Sequence, residues 1–323
     1  MIRRSAWAVL SLLVLTACGD GGSTQPTGFW FTAPQNDEQR LEVLHRARGI
    51  DPCALLSRAE LGKLGAVRSV QNDQPDSCKA ETGPAESYKG IDVSWAVVVA
   101  TVQKGAKSID KTIDGTRVSL AGNRENLSAE QFGQLVERSC TATAQFPSGA
   151  ALMMFIDTPL GTEPCDLGEQ LLHTAIAEWV KEPPRGTSPD SVHTVLTAAD
   201  PCDVLPKLGV TVNPADRRMR TCDFTYRGDE ISIAYGYEKQ KSILGSRPDD
   251  QPADPIDGHV VYRDTDSTND FHFYTAVVGQ AINPSTPDPA LGASVPTVSV
   301  TGKNDKVLTV DSSGGCNTPD LEC

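Results

Sequence analysis

After its N-terminal segment the sequence has no apolar run approaching the 18 residues that a membrane span requires, so no second span is expected. It also has no cationic excess: 29 Lys and Arg stand against 42 Asp and Glu, a formal net charge of -13. That balance argues against nucleic acid, or anionic lipid, as the partner of a broad basic face. There is no Gly-rich phosphate loop, no H-E-x-x-H, no C-x-x-C and no G-x-S-x-G around Ser148 or elsewhere. The S-x-x-K set with its S-D-N and K-T-G companions is missing too. Histidines are scarce, and His45, His173, His193, His259 and His272 have no ligand-like spacing. His173 is expected at the boundary or in the core of a helix, while His259 and His272 can meet only across strands. The sequence therefore nominates no catalytic residue, no metal ligand and no cofactor, although residues far apart in sequence can still converge.

What the chain does contain begins at its start. Arg3 and Arg4 precede an apolar segment, Ala6 to Leu15, and then Thr16 and Ala17, in the order of a secretory signal peptide. Leu15-Thr16-Ala17-Cys18 resembles the lipobox of bacterial lipoproteins. The resemblance implies a diacylglycerol on Cys18, cleavage just before it, and an anchor that a single acyl chain cannot match. The alternative is an ordinary secretory cleavage site that happens to precede a cysteine. Removing residues 1–17 takes two arginines with it and moves the formal charge from -13 to -15. "GDGGSTQPTG" then reads as a solvated tether. "GFWF" (28–31) either lies in the lipid interface, covers a domain core or meets a partner.

Eight further cysteines, Cys53, Cys78, Cys140, Cys165, Cys202, Cys222, Cys316 and Cys323, suggest four disulfides in an exported chain. Two local pairs in each half would let each half oxidise by itself. "IDPCALLSRAELGKLG" around Cys53 returns as "ADPCDVLPKLG" around Cys202, and each is followed by a second cysteine, Cys78 and Cys222. Alternating apolar positions come next: Ile91, Val93, Trp95, Val97 and Val99, then Ile231, Ile233, Tyr235 and Tyr237. The expected fold is α+β: two similar small domains, each an antiparallel sheet with packed helices, disulfide-braced. Two unrelated domains with similar openings are the alternative. The expected layout is a signal peptide (1–17), lipidated N-terminus and tether (18–36), first domain (37–182), linker (183–192) and strand-rich second domain (193–323). In the first domain, helices are expected over "LSAEQFGQLVERSC", opened by a Ser128–Gln131 capping box, and over "CDLGEQLLHTAIAEWV". A Cys140–Cys165 link would fasten the start of the latter. In the second domain "TCDFTY", "ISIAYGY", "HVVYRD", "FHFYTAVV" and "KVLTV" read as strands, with an exposed loop over 246–258.

The lipobox, the twice-used Asp-Pro-Cys opening and the following cysteines resemble uncharacterised actinobacterial cell-envelope lipoproteins whose domains begin on a "DPC…L" phrase. That resemblance implies attachment to the outer face of the cytoplasmic membrane and supplies no catalytic residue. Two short motifs have plainer readings. In "DTDSTND", Asp264, Asp266, Thr268 and Asp270 alternate like calcium ligands, but Asn269 and Thr275 replace the turn glycine and closing glutamate, so a hairpin turn is favoured. "RGD" at Arg227–Asp229 reads as a tight hairpin rather than a receptor motif. The leading expectation is a lipid-anchored binding or adaptor protein, with the membrane plus an envelope protein or small ligand as partners. An envelope enzyme acting on cell-wall material and a purely structural accessory lipoprotein are the alternatives.

Overall fold

The structure, a computed structural model, describes residues 27–86, 88–100, 107–244, 253–256, 259–266, 271–282 and 291–303. A 3-10 turn, Phe29–Phe31, precedes helix α1 (Asp37–Gly49). Asn36 caps α1 by accepting the Gln39 N–H, and Asp37, Glu38, Arg46 and Arg48 carry the charge signs that each end of its dipole favours. The first Asp-Pro-Cys phrase then forms a 3-10 turn, Pro52–Leu55, in which the Asp51 carboxylate accepts the Cys53 N–H. Helix α2 (Arg58–Leu61) follows, opened by Ser57.

Next come β1 (Val67–Gln74), β2 (Ser77–Thr82), β3 (Ile91–Val99), β4 (Ile109–Ile113) and β5 (Thr116–Gly122). Two short helices, α3 (Asn123–Asn126) and α4 (Ala129–Gly133), lead into β6 (Glu137–Gln145) and β7 (Ala150–Pro159), and α5 (Pro164–Trp179) follows. The strands form one antiparallel sheet in the order β1-β2-β3-β7-β6-β5-β4. Alternate residues of β3 (Val93, Trp95, Val97) and of β7 (Leu152, Met154, Ile156) point to a buried face. There they meet Leu171, Leu172, Ala175 and Ile176 of α5 and Val43, Leu44 and Ala47 of α1 in a single apolar cluster. Gly168 permits that approach, since a Cβ there would stand 3.0 Å from both Ala142 Cβ and Ile156 Cδ1. Trp30 is 2 % exposed and packs edge-on to Trp179, so "GFWF" covers this core.

The second half runs through β8 (Thr221–Tyr226), β9 (Asp229–Lys239), α6 (Gln240–Leu244), β10 (Ala253–Ile256), β11 (His259–Asp266), β12 (Phe271–Val277) and β13 (Ser294–Gly302). These strands form a second antiparallel sheet, ordered β8-β9-β13-β12-β11-β10. Started from β2, the first sheet reads β2-β3-β7-β6-β5-β4, which is the same permutation of consecutive strands. In both sheets the cysteine after the Asp-Pro-Cys phrase lies on the first strand of that permutation, Cys78 on β2 and Cys222 on β8. The chain is therefore α+β and mostly sheet, with disulfides Cys53–Cys78, Cys140–Cys165 and Cys202–Cys222. Cys18, Cys316, Cys323 and the "KVLTV" strand lie outside the described residues.

Several expectations need correction. The Ser128 capping box is present, but its helix ends at Gly133, and "ERSCTATAQ" is strand β6. Its alternation buries Cys140, Ala142 and Ala144 every second residue, and that period overrides the helical one. The expected loop over 246–258 includes β10. Strand β13, which was not among the expected strands, lies inside the sheet and carries Pro296 near its start. The Pro296 carbonyl accepts the Val278 N–H just past the end of β12, so the missing donor interrupts no central ladder.

Candidate functional site

The segment expected as a linker is built into the body of the protein. Asp51 is fully buried, and besides capping its own turn it accepts the N–H groups of Gly186 and Ser188 at 3.1 and 2.9 Å and the Ser191 hydroxyl. The Asp51 N–H donates to the Pro183 carbonyl at 2.8 Å. The Arg185 guanidinium reaches the carbonyls of Arg48 and Pro75 at 2.8 and 2.6 Å. Asp200, first residue of the second Asp-Pro-Cys phrase, acts alike: one oxygen accepts the Cys202 N–H and the other meets Arg48 Nη1 at 2.6 Å. Arg48 also donates to the carbonyls of Met219 and Arg218. Each aspartate thus starts its own turn and also grips a segment from elsewhere.

A second tie joins the β1–β2 hairpin to β9. The Gln74 side chain accepts the Tyr237 N–H at 3.1 Å and donates to the Tyr237 carbonyl at 3.3 Å, as a neighbouring strand would. Arg220 bridges Asp76 at 2.8 Å and reaches Gln74 Oε1. Burial lowers the pKa of Arg48 and of Arg185, against the opposing pull of Asp200 on the former and of Asp51 on the latter. Burial raises that of Asp76 despite Arg220. Arg48, Gln74, Asp76 and Arg220 thus join the two halves, while Asp51 and Arg185 fasten residues 183–191 to the first.

Concave surface with free chemistry lies beside β8. A cleft of about 580 Å³ is walled by the loop at Thr211, Val212 and Asp216 and floored by Asp223, Thr225, Glu230, Ser232, Thr301 and Phe271. Register places its floor: Asp223 faces Ser232, Ser232 faces Thr301, and Thr225 faces Glu230. The carboxylates of Asp216, Asp223 and Glu230 are exposed and bond no other described residue, whereas Lys303 Nζ stands 5.3 Å from the Phe271 ring centroid. A second cleft of about 570 Å³, between α5 and β4, is bordered by Ile113, Asp166, Glu169, Gln170 and His173. Its polar groups are partly spent, since Lys111 pairs with Glu169 and His173 Nε2 lies 3.3 Å from Asp114.

The residues singled out in the sequence do not converge. His173 is on the exposed side of α5 rather than at its core, because Leu171, Leu172, Ala175 and Ile176 take the buried stripe. His45 and His193 are exposed on other elements, and the β11–β12 register sets His272 opposite Thr265, leaving His259 at the far end of β11. Ser148 is buried in the β6–β7 turn. In "RGD", Arg227 and Gly228 both have positive φ, as a two-residue hairpin requires, and the Asp229 carboxylate turns inward to the Lys303 N–H. Asp264 and Asp266 lie on strand β11, and residues 267–270 of the calcium-like phrase lie outside the described residues. Among the described residues no three His, Cys, Asp or Glu side chains are grouped to hold a metal ion, and no helix is long and apolar enough to cross a membrane. The cleft beside β8 had no linear motif to announce it, because its residues come from four strands and a loop.

No family model and no curated protein matches this sequence. Among solved structures, DynU16, from the dynemicin biosynthetic locus, aligns over 81 % of this chain and 82 % of its own at 9 % identity, with a TM-score of 0.14.

Proposed function

We propose that this chain is a lipid-anchored binding or adaptor protein of the bacterial envelope, held at the outer face of the cytoplasmic membrane through Cys18 and built from two related disulfide-braced domains. The lipobox resemblance supports the anchor, and the shared strand permutation with a cysteine on its first strand supports the duplication. The observation that carries the binding role is the cleft beside β8, where three carboxylates, a row of hydroxyls and an aromatic ring border one concavity without being spent on the fold. The junction keeps the two sheets in one arrangement, which suits presentation of a preformed surface.

The test uses the full chain in its native envelope with a photo-crosslinking amino acid at Thr225, and the same group at exposed Leu160 as control. Specific capture of an envelope component from position 225 supports the reading. Identical products from both positions, or none from either, overturn the binding role. For the anchor, Cys18→Ala is expected to release the protein from the membrane fraction; unchanged membrane retention and unchanged processing would refute it.

A further inference from the structure

We infer that the cleft beside β8 takes an uncharged saccharide, a reading that rests on this cleft being the binding surface. The polar floor offers matched chemistry for a polyol. Carboxylates accept sugar hydroxyl protons in charge-assisted bonds, and threonine and serine hydroxyls both donate and accept. Asp223, Thr225, Glu230 and Ser232 provide these groups in two adjacent cross-strand rows. Phe271 adds an aromatic ring on which the C–H face of a pyranose can lie. The volume, about 580 Å³, is in the range of small-ligand sites and has room for a short oligosaccharide.

Charge narrows the class. An anionic ligand would meet Asp216, Asp223 and Glu230, and among the described residues no Lys or Arg lines the cleft to offset them. A bare metal ion has no three-ligand group to enter among the described residues. An organic cation stacked on the Phe271 ring would be repelled by the Lys303 ammonium beside it. A neutral polyol uses the carboxylates as acceptors and can lie on the Phe271 ring with no like-charge repulsion from Lys303.

The experiment is calorimetric titration of the full chain in detergent micelles with triacetylchitotriose, maltotriose and mannotriose as neutral probes. Fully deacetylated chitotriose serves as the cationic twin of the first probe. At least one neutral probe is expected to bind with a millimolar or lower Kd. Glu230→Gln, Phe271→Ala and the cleft-filling Ser232→Trp are each expected to weaken it at least tenfold, with melting temperature showing that each variant is folded. No neutral probe binding at 10 mM, or the cationic twin binding tenfold tighter than triacetylchitotriose, overturns the saccharide assignment. Capture of a partner from Thr225 alongside either result leaves the cleft a binding surface and removes only the ligand class. Saccharide binding that survives Ser232→Trp places it elsewhere and also overturns the inference.

Discussion

Asp51 and Asp200 show how one side chain can serve two scales. A carboxylate has more acceptor capacity than a capped turn consumes, so each retains an oxygen for a distant donor: backbone amides of 186–188 for Asp51, and Arg48 for Asp200. Arg48 is the cation on which this depends, 6 % exposed and donating to Asp200 and two carbonyls. Arg48→Ala strips two carbonyls of their donor and leaves the partly buried Asp200 carboxylate to Arg217 at 3.2 Å, and is expected to cost about 2–3 kcal/mol in urea unfolding. A loss below about 1 kcal/mol would mean that water replaces the guanidinium at no net cost. Asp76 gives a pH dependence. Burial holds its carboxyl above the ordinary value of 3.8, so the folded chain binds that proton more tightly than the unfolded one. The contribution is full below the ordinary value and is lost as pH rises through the raised one. Relative to Asp76→Asn, the wild-type chain is therefore expected to gain stability as pH falls from neutral toward about 4, read by urea unfolding of both proteins. A stability difference that grows with rising pH contradicts this.

At the scale of elements, legibility followed the strength of the local signal. Helix α5 was readable because its apolar stripe repeats over the whole segment, and the first Asp-Pro-Cys turn because aspartate caps it and proline supplies the φ of its first residue. Helix α1 was not, since its buried stripe is narrow, Val43, Leu44, Ala47 and the stem of Arg48, within a strongly charged segment. The capping box at Ser128 misled in another way. It was a correct start for a helix only five residues long, and the strand beyond it is betrayed only by the alternation of Cys140, Ala142 and Ala144. Between α5 and the first sheet the tolerance is small. Gly168→Val adds branched bulk where even a Cβ would stand 3.0 Å from Ala142 and Ile156, and is expected to cost about 1–3 kcal/mol and lower the melting temperature. An unchanged melting temperature would show that α5 can shift outward freely.

For the molecule as a whole, the sequence disclosed two sheets but not how they join. A proline-rich stretch such as 183–192 looks like a spacer, and nothing in its composition says that Asp51, distant in sequence, will accept its amides. Because hydrogen bonds run from α1 and the β1–β2 hairpin into the second half, and Val192 is tied back to Asn72 of β1, unfolding is expected to be one calorimetric transition in the wild-type chain. Combining Arg48→Ala with Arg220→Ala removes both cationic ties and is expected to split that transition in two; a single transition in the double variant would place the coupling elsewhere. Gln74 has its own consequence. Beyond Ala234, where pairing with β8 stops, β9 would offer the bare peptide groups of Tyr237 to any passing chain, and a single glutamine amide occupies them. Gln74→Ala would uncover a sticky margin, and light scattering of the concentrated variant is expected to report self-association that the native chain resists. One amide side chain thus does for solubility what other folds achieve with an additional strand.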